Sequence, residues 1–355
     1  MLIAPDKLQK VVEAILMGGG STAEEAELVA WHLVRANLTG HDSHGVGMVP
    51  AYVFIQHMDL LKPNTNVKLV KDDGAILRFD GGRGYGQIVA RQAMEQTIAR
   101  AKETGLALMS LANAHHIGRV GTYGEQALAA GLVSIHFANV VDHSPLVAPY
   151  RGSDSRFGTN PICIAVPGGE KTDDILLDMA TSKVALGKVR VAMNKGEQVA
   201  PDTLLDKTGQ PTTDPGVMFD EPRGALLAIG AHKGYGLAFM AEVLAGVLTG
   251  GGTIQPGNKR HNSIINHMLA IVIDPTRLGD RDWMRSEIDA MVDYFKASPE
   301  QTPGVPVLSP GDPERIMEAE RRANGIPIDE TTWGEIVEVA KANGVSAEQI
   351  AEIVG

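Results

Sequence analysis

Over the first 66 residues the apolar positions recur at helical spacing. In "MLIAPDKLQKVVEAIL" they fall three and four apart, and in "AELVAWHLVRANLTG" Leu28, Trp31, Arg35 and Leu38 share one face with Val29 and Leu33 beside it. Ser21 and Glu24 stand at capping-box spacing before that second run, and Gly40 closes it. A third helix is expected to start at Asp42 or Ser43 and to end before "LKPN", with Pro50 disturbing its first turn. From residue 67 the pattern alternates. "VKLV", "AILRFD", "LALMSLAN", "LVSIHFANV", "ICIAVP", "ILLDMA" and "LAIVID" read as strands, and "GQIVARQAMEQTIARAKETG" and "GTYGEQALAAG" as helices. "GYGLAFMAEVLAGVLTGG" is an apolar helix, buried or at a subunit interface. Helices return from Arg281, after which "TPGVPVLSPGDP" is the clearest linker, and Ser346 with Gln349 forms a second capping box. The fold class expected is mixed α/β: a helical part over 1–66, a mixed sheet flanked by helices over 67–230, and a second helical part over 231–355 that packs with the first.

Composition narrows the function. A chain of 355 residues exceeds one ordinary core, so two domains are expected. The formal net charge is −11 with no basic run, which leaves nucleic acid without its electrostatic footprint. The single cysteine, Cys163, rules out an intrachain disulfide and reads as a small buried hydrophobe. Pro5, Asp6 and Lys7 interrupt what a signal peptide would need, and no stretch is apolar enough to span a bilayer; a cytoplasmic protein away from membranes is expected.

Four segments carry candidate chemistry. "FDGGRGYGQ" follows a strand and opens a helix, but its spacing is not G-x-G-x-x-G, so a turn and helix entry is the better reading. "NAHHIGRVGTYGEQ" places Gly118, Gly121, Gly124 and Arg119 ahead of a helix, where exposed amides and a cation can hold a phosphate. In "LSPGDPER", Asp312 is a good N-cap and Pro313 a good first helical residue, either a routine cap or an anion cradle. "HDSHG" admits zinc ligation by His41 and His44, nucleophilic attack by Ser43, or proton transfer by His44. The first lacks a third firm ligand and the second a nucleophile elbow, so no metal site is expected; locally, a structural turn competes with the third.

Taken in order, "GHDSHGVGMVPAYV", "NAHHIGRVGTYGEQALAAG", "RFGTNPICIAVP", "LLDMATSKVALGKV", "GQPTTDPG", "HKGYGLAFMAEVLAGVLTG" and "SPGDPER" resemble the malate/L-lactate dehydrogenase type 2 family, a group of non-Rossmann NAD(P)-dependent oxidoreductases. The resemblance runs from about residue 5 to about 350. It implies a homodimer, an unusual nucleotide-binding sheet, and interconversion of a 2-hydroxy acid and a 2-oxo acid with NAD or NADP, NAD(H) being favoured. Carried over residue by residue, it makes His44 the proton donor and Ser43 its hydrogen-bonding neighbour, with His116 a rival proton acceptor at the junction of cofactor and substrate. Thr159 and Asn160 become substrate contacts. Ile117, Gly118, Arg119, Leu176, Leu177, Asp178, Lys233, Gly234, Pro310, Gly311 and Asp312 become cofactor contacts.

Two departures bear on the substrate. Met48 replaces an arginine common in the family; one helical turn from His44, it would favour bulkier or apolar 2-oxo acids such as aryl-pyruvates over small dicarboxylates. Lys188 stands where imine-reducing relatives have an aspartate, and Leu186 where they have a histidine. This argues for hydroxy-acid chemistry, with Lys188 available to a substrate carboxylate. Glu314 and Arg315 pull the NAD/NADP choice in opposite directions.

Overall fold

The computed structural model describes residues 1–355. Two short strands, β1 (Leu2–Ile3) and β12 (Ile326–Pro327), pair antiparallel and tie the chain's two ends together. Helix α1 (Pro5–Gly18) buries Leu8, Val11, Val12, Ile15 and Leu16, the stripe that its three-and-four spacing dictates. Helix α2 (Ala23–Leu38) is capped by Thr22, one residue later than the sequence suggested: its hydroxyl accepts from the Glu25 amide, while the Ser21 hydroxyl donates to the Glu25 carboxylate at 2.7 Å. Helices α10 (Glu330–Ala342) and α11 (Ala347–Val354) complete this core with Ile336, Ala340 and Ile350, and the Ser346–Gln349 capping box is present.

The third helix is shorter than expected. Residues 42–48 form two 3-10 turns, Asp42–His44 and Val46–Met48, and α3 spans only Val49–His57. Pro50 explains this: in the first turn its missing N–H costs nothing, whereas a helix begun at Asp42 would need that donor.

Seven strands make the main sheet: β2 (Lys68–Asp73), β3 (Ile76–Asp80), β4 (Leu106–His115), β5 (Val133–Val141), β6 (Ile162–Val166), β7 (Ile175–Met179) and β11 (Ile265–Ile273). Their order is β2-β3-β4-β11-β5-β6-β7, with β3–β4 the one parallel pair. This is no doubly wound parallel sheet, in keeping with the missing dinucleotide fingerprint. Strand β11 lies at the centre: the strand expected at "LAIVID", within the second helical part over 231–355, belongs to the main sheet and not with the helices. Helices α4 (Gly86–Thr104) and α5 (Gly121–Leu128) cover the sheet, burying Val89, Met94, Met109, Met268 and Cys163 among them.

A small sheet of β8 (Leu204–Leu205), β9 (Pro211–Thr212) and β10 (Ala225–Leu226) packs with α6 (Leu186–Lys195) through Leu204, Leu226 and Val189. Helix α7 (His232–Ala241) runs on into a π-turn, Glu242–Val247, whose outer side leaves Leu237, Phe239, Met240, Val247 and Leu248 exposed. Helices α8 (Arg281–Lys296) and α9 (Asp312–Asn324) flank the linker.

Candidate active site

The turn that carries His44 is held at both ends. The Asn37 side chain donates to Asp42 at 2.6 Å and accepts the Val46 amide at 2.8 Å, and a Cβ on Gly45 would strike it at 2.2 Å. Arg321 of α9 grips the Asp42 carboxylate with both terminal nitrogens, at 2.6 and 2.9 Å, and His41 meets Glu314 at 3.2 Å. Asp42 and His41 are therefore structural anchors. Nowhere do three histidine, cysteine, aspartate or glutamate side chains converge as a metal would require.

His116 comes from the end of β4. The glycine-rich stretch at 81–86 exists to let that end in: a Cβ on Gly86 would lie 2.3 Å from the His115 carbonyl and 2.4 Å from that of His116. Behind it, Asn266 of β11 accepts the Ile117 amide at 2.9 Å. The two histidines meet, His44 Nδ1 to His116 Nε2 at 3.2 Å, with rings stacked 5.3 Å apart at 18°. The second nitrogen of His116 lies 2.6 Å from the Tyr52 hydroxyl of α3, which takes a hydrogen bond from Gln87 Nε2 of α4 at 2.7 Å. Burial pushes His44 down to about 4, helped by the charge of His41, and pushes His116 well down, helped by His44. His44 itself is half-buried, and its Nε2 has no partner within the chain.

Other expected residues fall elsewhere. Ser43 makes no hydrogen bond to His44; its Cβ faces Gly187 in the first turn of α6, where an added Cβ would sit 3.0 Å away. Lys188 follows on that turn, exposed and without an ion-pair partner, so the neighbour of His44 is His116 rather than Ser43 or Lys188. Met48 is not one helical turn from His44, because Gly45 breaks the run; it packs half-buried against the core of the terminal helices. Thr159 is half-buried, and its carbonyl accepts from Thr181 at 2.9 Å. Asn160 is buried at φ +31°, its amide spent on the Ala238 carbonyl and the Glu242 carboxylate.

Three of the four expected cofactor segments converge. The Leu176 amide donates to the Pro310 carbonyl, and Asp178 accepts the Gly121 amide at 2.7 Å while facing Arg119 at 3.5 Å. The phosphate expected at Gly118 and Arg119 would meet a site already partly engaged: Asp178 takes the first amide of α5, and Arg119, 1% exposed, is paired with Glu125 at 2.8 Å while its Nε and Nη2 make no hydrogen bond. Nor is Asp312 an N-cap: Gly311 at φ +99° holds that place, and the Asp312 carboxylate binds the Ser309 amide, Lys296 and Arg315. Glu314 and Arg315 are likewise engaged, by His41 and by Asp312. The α7 start differs: Ala231 at φ +53° gives no side-chain cap, Lys233 stands exposed without a carboxylate partner, and Gly234 is required because a Cβ would lie 1.8 Å from the Ile229 carbonyl.

Residues 3–337 match the family model for malate/L-lactate dehydrogenase. The chain belongs to the malate/L-lactate dehydrogenase family. It is 44% identical over 345 residues to hydroxycarboxylate dehydrogenase B of Escherichia coli K12, covering 97% of this chain and 94% of that one. Its fold is similar to that of sulfolactate dehydrogenase from Methanocaldococcus jannaschii, with a TM-score of 0.84 at 32% identity over 98% and 99% of the two chains. It is also similar to Δ1-piperideine-2-carboxylate reductase from Pseudomonas syringae, with a TM-score of 0.81 at 25% identity over 96% and 99%. As a member of this dehydrogenase family the chain is an oxidoreductase acting on hydroxy or oxo acids with a nicotinamide cofactor. No helix is long and apolar enough to cross a membrane.

Within the dehydrogenase fold, Tyr52, Gln87, Asn37 and Asn266 support the histidine pair without having been singled out in the sequence. Tyr52 alone left a trace, a phenol in the otherwise apolar "VPAYVFI". A cavity of about 400 Å³ at the same end of the sheet, lined by Arg78, Arg83, Asn113, Asp142, Lys259 and His267, was equally unmarked.

Proposed function

We propose that this chain interconverts 2-hydroxy acids and 2-oxo acids with His44 as the proton carrier. The observation that carries this reading is the asymmetry of His44: one ring nitrogen is held by His116, and the other has no partner and stands on the half-exposed side. When bound, the nicotinamide supplies or removes the hydride at the substrate's C2. The residues fit such a group. The uncapped α7 start with Lys233 suits a phosphate, and the converging main chain at Ile117–Gly118, Leu176–Asp178 and Pro310–Gly311 is offered to the rest of the cofactor. In oxidation His44 takes the hydroxyl proton through Nε2; in reduction its protonated form returns a proton to the developing alkoxide. Thr159 and Lys188 are the residues offered to the substrate carboxylate.

With Arg315 bound to Asp312 and no other arginine assigned to a ribose phosphate, NAD(H) is favoured. The exposed face of Leu237, Phe239, Met240, Val247 and Leu248 supports a homodimer, since an apolar patch of that kind is seldom left to water. A preference for bulky or aromatic 2-oxo acids rests on Met48 only in that no arginine stands there to pair with a second carboxylate, the methionine itself packing on the terminal core. A cytoplasmic setting accords with the single buried thiol.

The test is the absorbance of reduced nicotinamide. NADH and NADPH are each offered with pyruvate, oxaloacetate, 2-oxoglutarate, phenylpyruvate and a cyclic imine, with His44→Ala as control. Turnover of 2-oxo acids that collapses in the variant supports the reading; turnover that survives it, or confinement to the imine, overturns it.

A further inference from the structure

The chain Gln87–Tyr52–His116–His44 is buried at its first three members and opens only at His44 Nε2. Hydrogen-bond donors and acceptors along it cannot be assigned independently, because each contact holds one hydrogen. If Gln87 Nε2 donates to Tyr52, the phenol proton goes to His116 Nδ1. His116 then carries its hydrogen on Nε2 and gives it to His44 Nδ1, and a neutral His44 bears its own hydrogen on Nε2. A histidine in that state has no lone pair for a substrate proton. For His44 Nε2 to be bare, every bond must run the other way: His44 Nδ1–H to His116, His116 Nδ1–H to the Tyr52 oxygen, and the phenol proton to an acceptor beyond. Burial holds the Tyr52 phenol strongly on its protonated side, so that proton always needs a place. One acceptor lies within reach, Gln87 Oε1, which is buried and has no hydrogen-bond partner. A half-turn of the Gln87 amide exchanges Nε2 for Oε1 and reverses the chain.

We propose that Tyr52 and Gln87 are positioning residues for proton transfer: the amide of Gln87 sets the direction of the Tyr52 hydroxyl, and through His116 this decides whether His44 presents a bare Nε2. The inference rests on the proton-carrier role of His44 given above. During oxidation the substrate O–H bond breaks, its proton lands on Nε2, and the C2 hydride leaves to the nicotinamide. His44 becomes a cation whose Nδ1–H remains on His116, the one arrangement in which His116 meets that charge as an acceptor. Reduction runs the same steps backward. Tyr52 thus explains why two histidines compete for one role: His44 meets the substrate, and His116 transmits the direction of the phenol.

The test compares Tyr52→Phe, Gln87→Met and Gln87→Glu with the wild type and His44→Ala. Methionine removes both ends of the amide; glutamate keeps an oxygen that accepts from Tyr52 in either protonation state. In Tyr52→Phe and Gln87→Met, kcat falls about 10- to 100-fold, in the lower part of the span for acid–base groups, while KM stays within about threefold. Gln87→Glu stays within about threefold of the wild type in kcat. Protonated His44 loses its ordered acceptor in the first two variants, so the pH limbs of kcat/KM move toward acid in both directions of reaction. His41, Asp178 and Arg119 act on His44, and His115, His32 and His143 act on His116; all six are retained in every variant. Unmoved pH limbs, or a Gln87→Glu as impaired as Gln87→Met, overturn the proposal even if the melting temperature drops. Should Tyr52→Phe not fold, the two Gln87 variants decide alone. ¹⁵N NMR of the free protein gives a readout apart from turnover: His44 and His116 share one tautomer in the wild type, and opposite tautomers overturn the chain. Survival of activity in His44→Ala strikes the proton-carrier role instead, a failure separate from this one.

Discussion

Two buried polar clusters lie at one end of the sheet, and they are built on opposite rules. Around Arg119, charge is answered by charge. Glu125 and Asp178 face its guanidinium, and Arg35 reaches both Glu125 and Glu318, so the charges balance within the knot although Nε and Nη2 of Arg119 make no hydrogen bond. Around His116 nothing is charged. His32 and His115, each held down to about 3, and Tyr52 and Gln87 are all neutral, with several of their polar atoms left without partners. An ion-pair knot answers charge with charge and holds a structure. A neutral chain with one open end costs stability and keeps a proton site poised, which is where chemistry is expected to lie.

Breaking the two clusters separates these rules. His44→Ala should lower kcat/KM about 10²- to 10⁴-fold while leaving the denaturation midpoint near that of the wild type, because its open end supports no packing. Arg119→Ala should do the reverse. It leaves the buried Asp178 carboxylate without its counter-charge and Glu125 with Arg35 alone, at about 3–5 kcal/mol of stability. Urea titration reads that loss directly, and a normal midpoint for Arg119→Ala would mean that the knot does not bear on the fold.

Acid sharpens the same contrast. With His44 held at about 4, oxidation, which needs the unprotonated ring, should keep its kcat/KM down to about pH 4 and lose it below. Reduction, which needs the protonated ring, should gain as pH falls toward that value. Stability moves too. His32, His115 and His136, all near 3 in the folded chain, take up protons only on unfolding between about pH 6.5 and 3, so calorimetry should show the melting temperature falling across that window. A flat melting temperature there would mean that these rings are not buried neutral.

Much of this was legible in the sequence, and what was missed has a physical cause. The terminal helices, the strands, the Ser346 capping box and the buried Cys163 followed from period and local chemistry, because each depends on near neighbours. The central place of β11 did not, since strand order depends on pairing between residues more than a hundred positions apart. For the site, His44 and His116 could be named, but Tyr52 and Gln87 approach His116 from two helices remote in sequence. The ion-pair partner of Arg119 was hidden for the same reason: its glycine-rich neighbourhood suggested a phosphate cradle, and Asp178, 59 residues on, brings a carboxylate to it from another strand.

Helix starts offer a finer comparison. The first turn of α5 is capped by Asp178, and that of α7 has no cap and an unpaired Lys233. Lys233→Gln should therefore raise the cofactor Kd roughly tenfold, as loss of one charge-assisted contact does, with a weaker salt dependence of binding. Titrating the intrinsic fluorescence with NADH and NADPH checks it, and an unchanged Kd at low salt would remove α7 from the phosphate site.

The smallest effect is expected at Met48. Were residues 44 and 48 on one helical face, Met48→Arg would place a guanidinium beside the proton carrier and could change selectivity a hundredfold. In the 3-10 geometry Met48 rests half-buried on the terminal core, so an arginine must lay its stem along that apolar surface before its head reaches the substrate. The remaining gain for a second carboxylate is that of a partly solvated ion pair, about 1 kcal/mol or roughly fivefold in the ratio of kcat/KM for oxaloacetate to that for phenylpyruvate. A shift near fivefold would mean that the turn faces the substrate obliquely. No shift would mean that Met48 belongs to the core alone and that specificity is set elsewhere, with Lys188 or the cations at Arg78 and Lys259 next to be replaced.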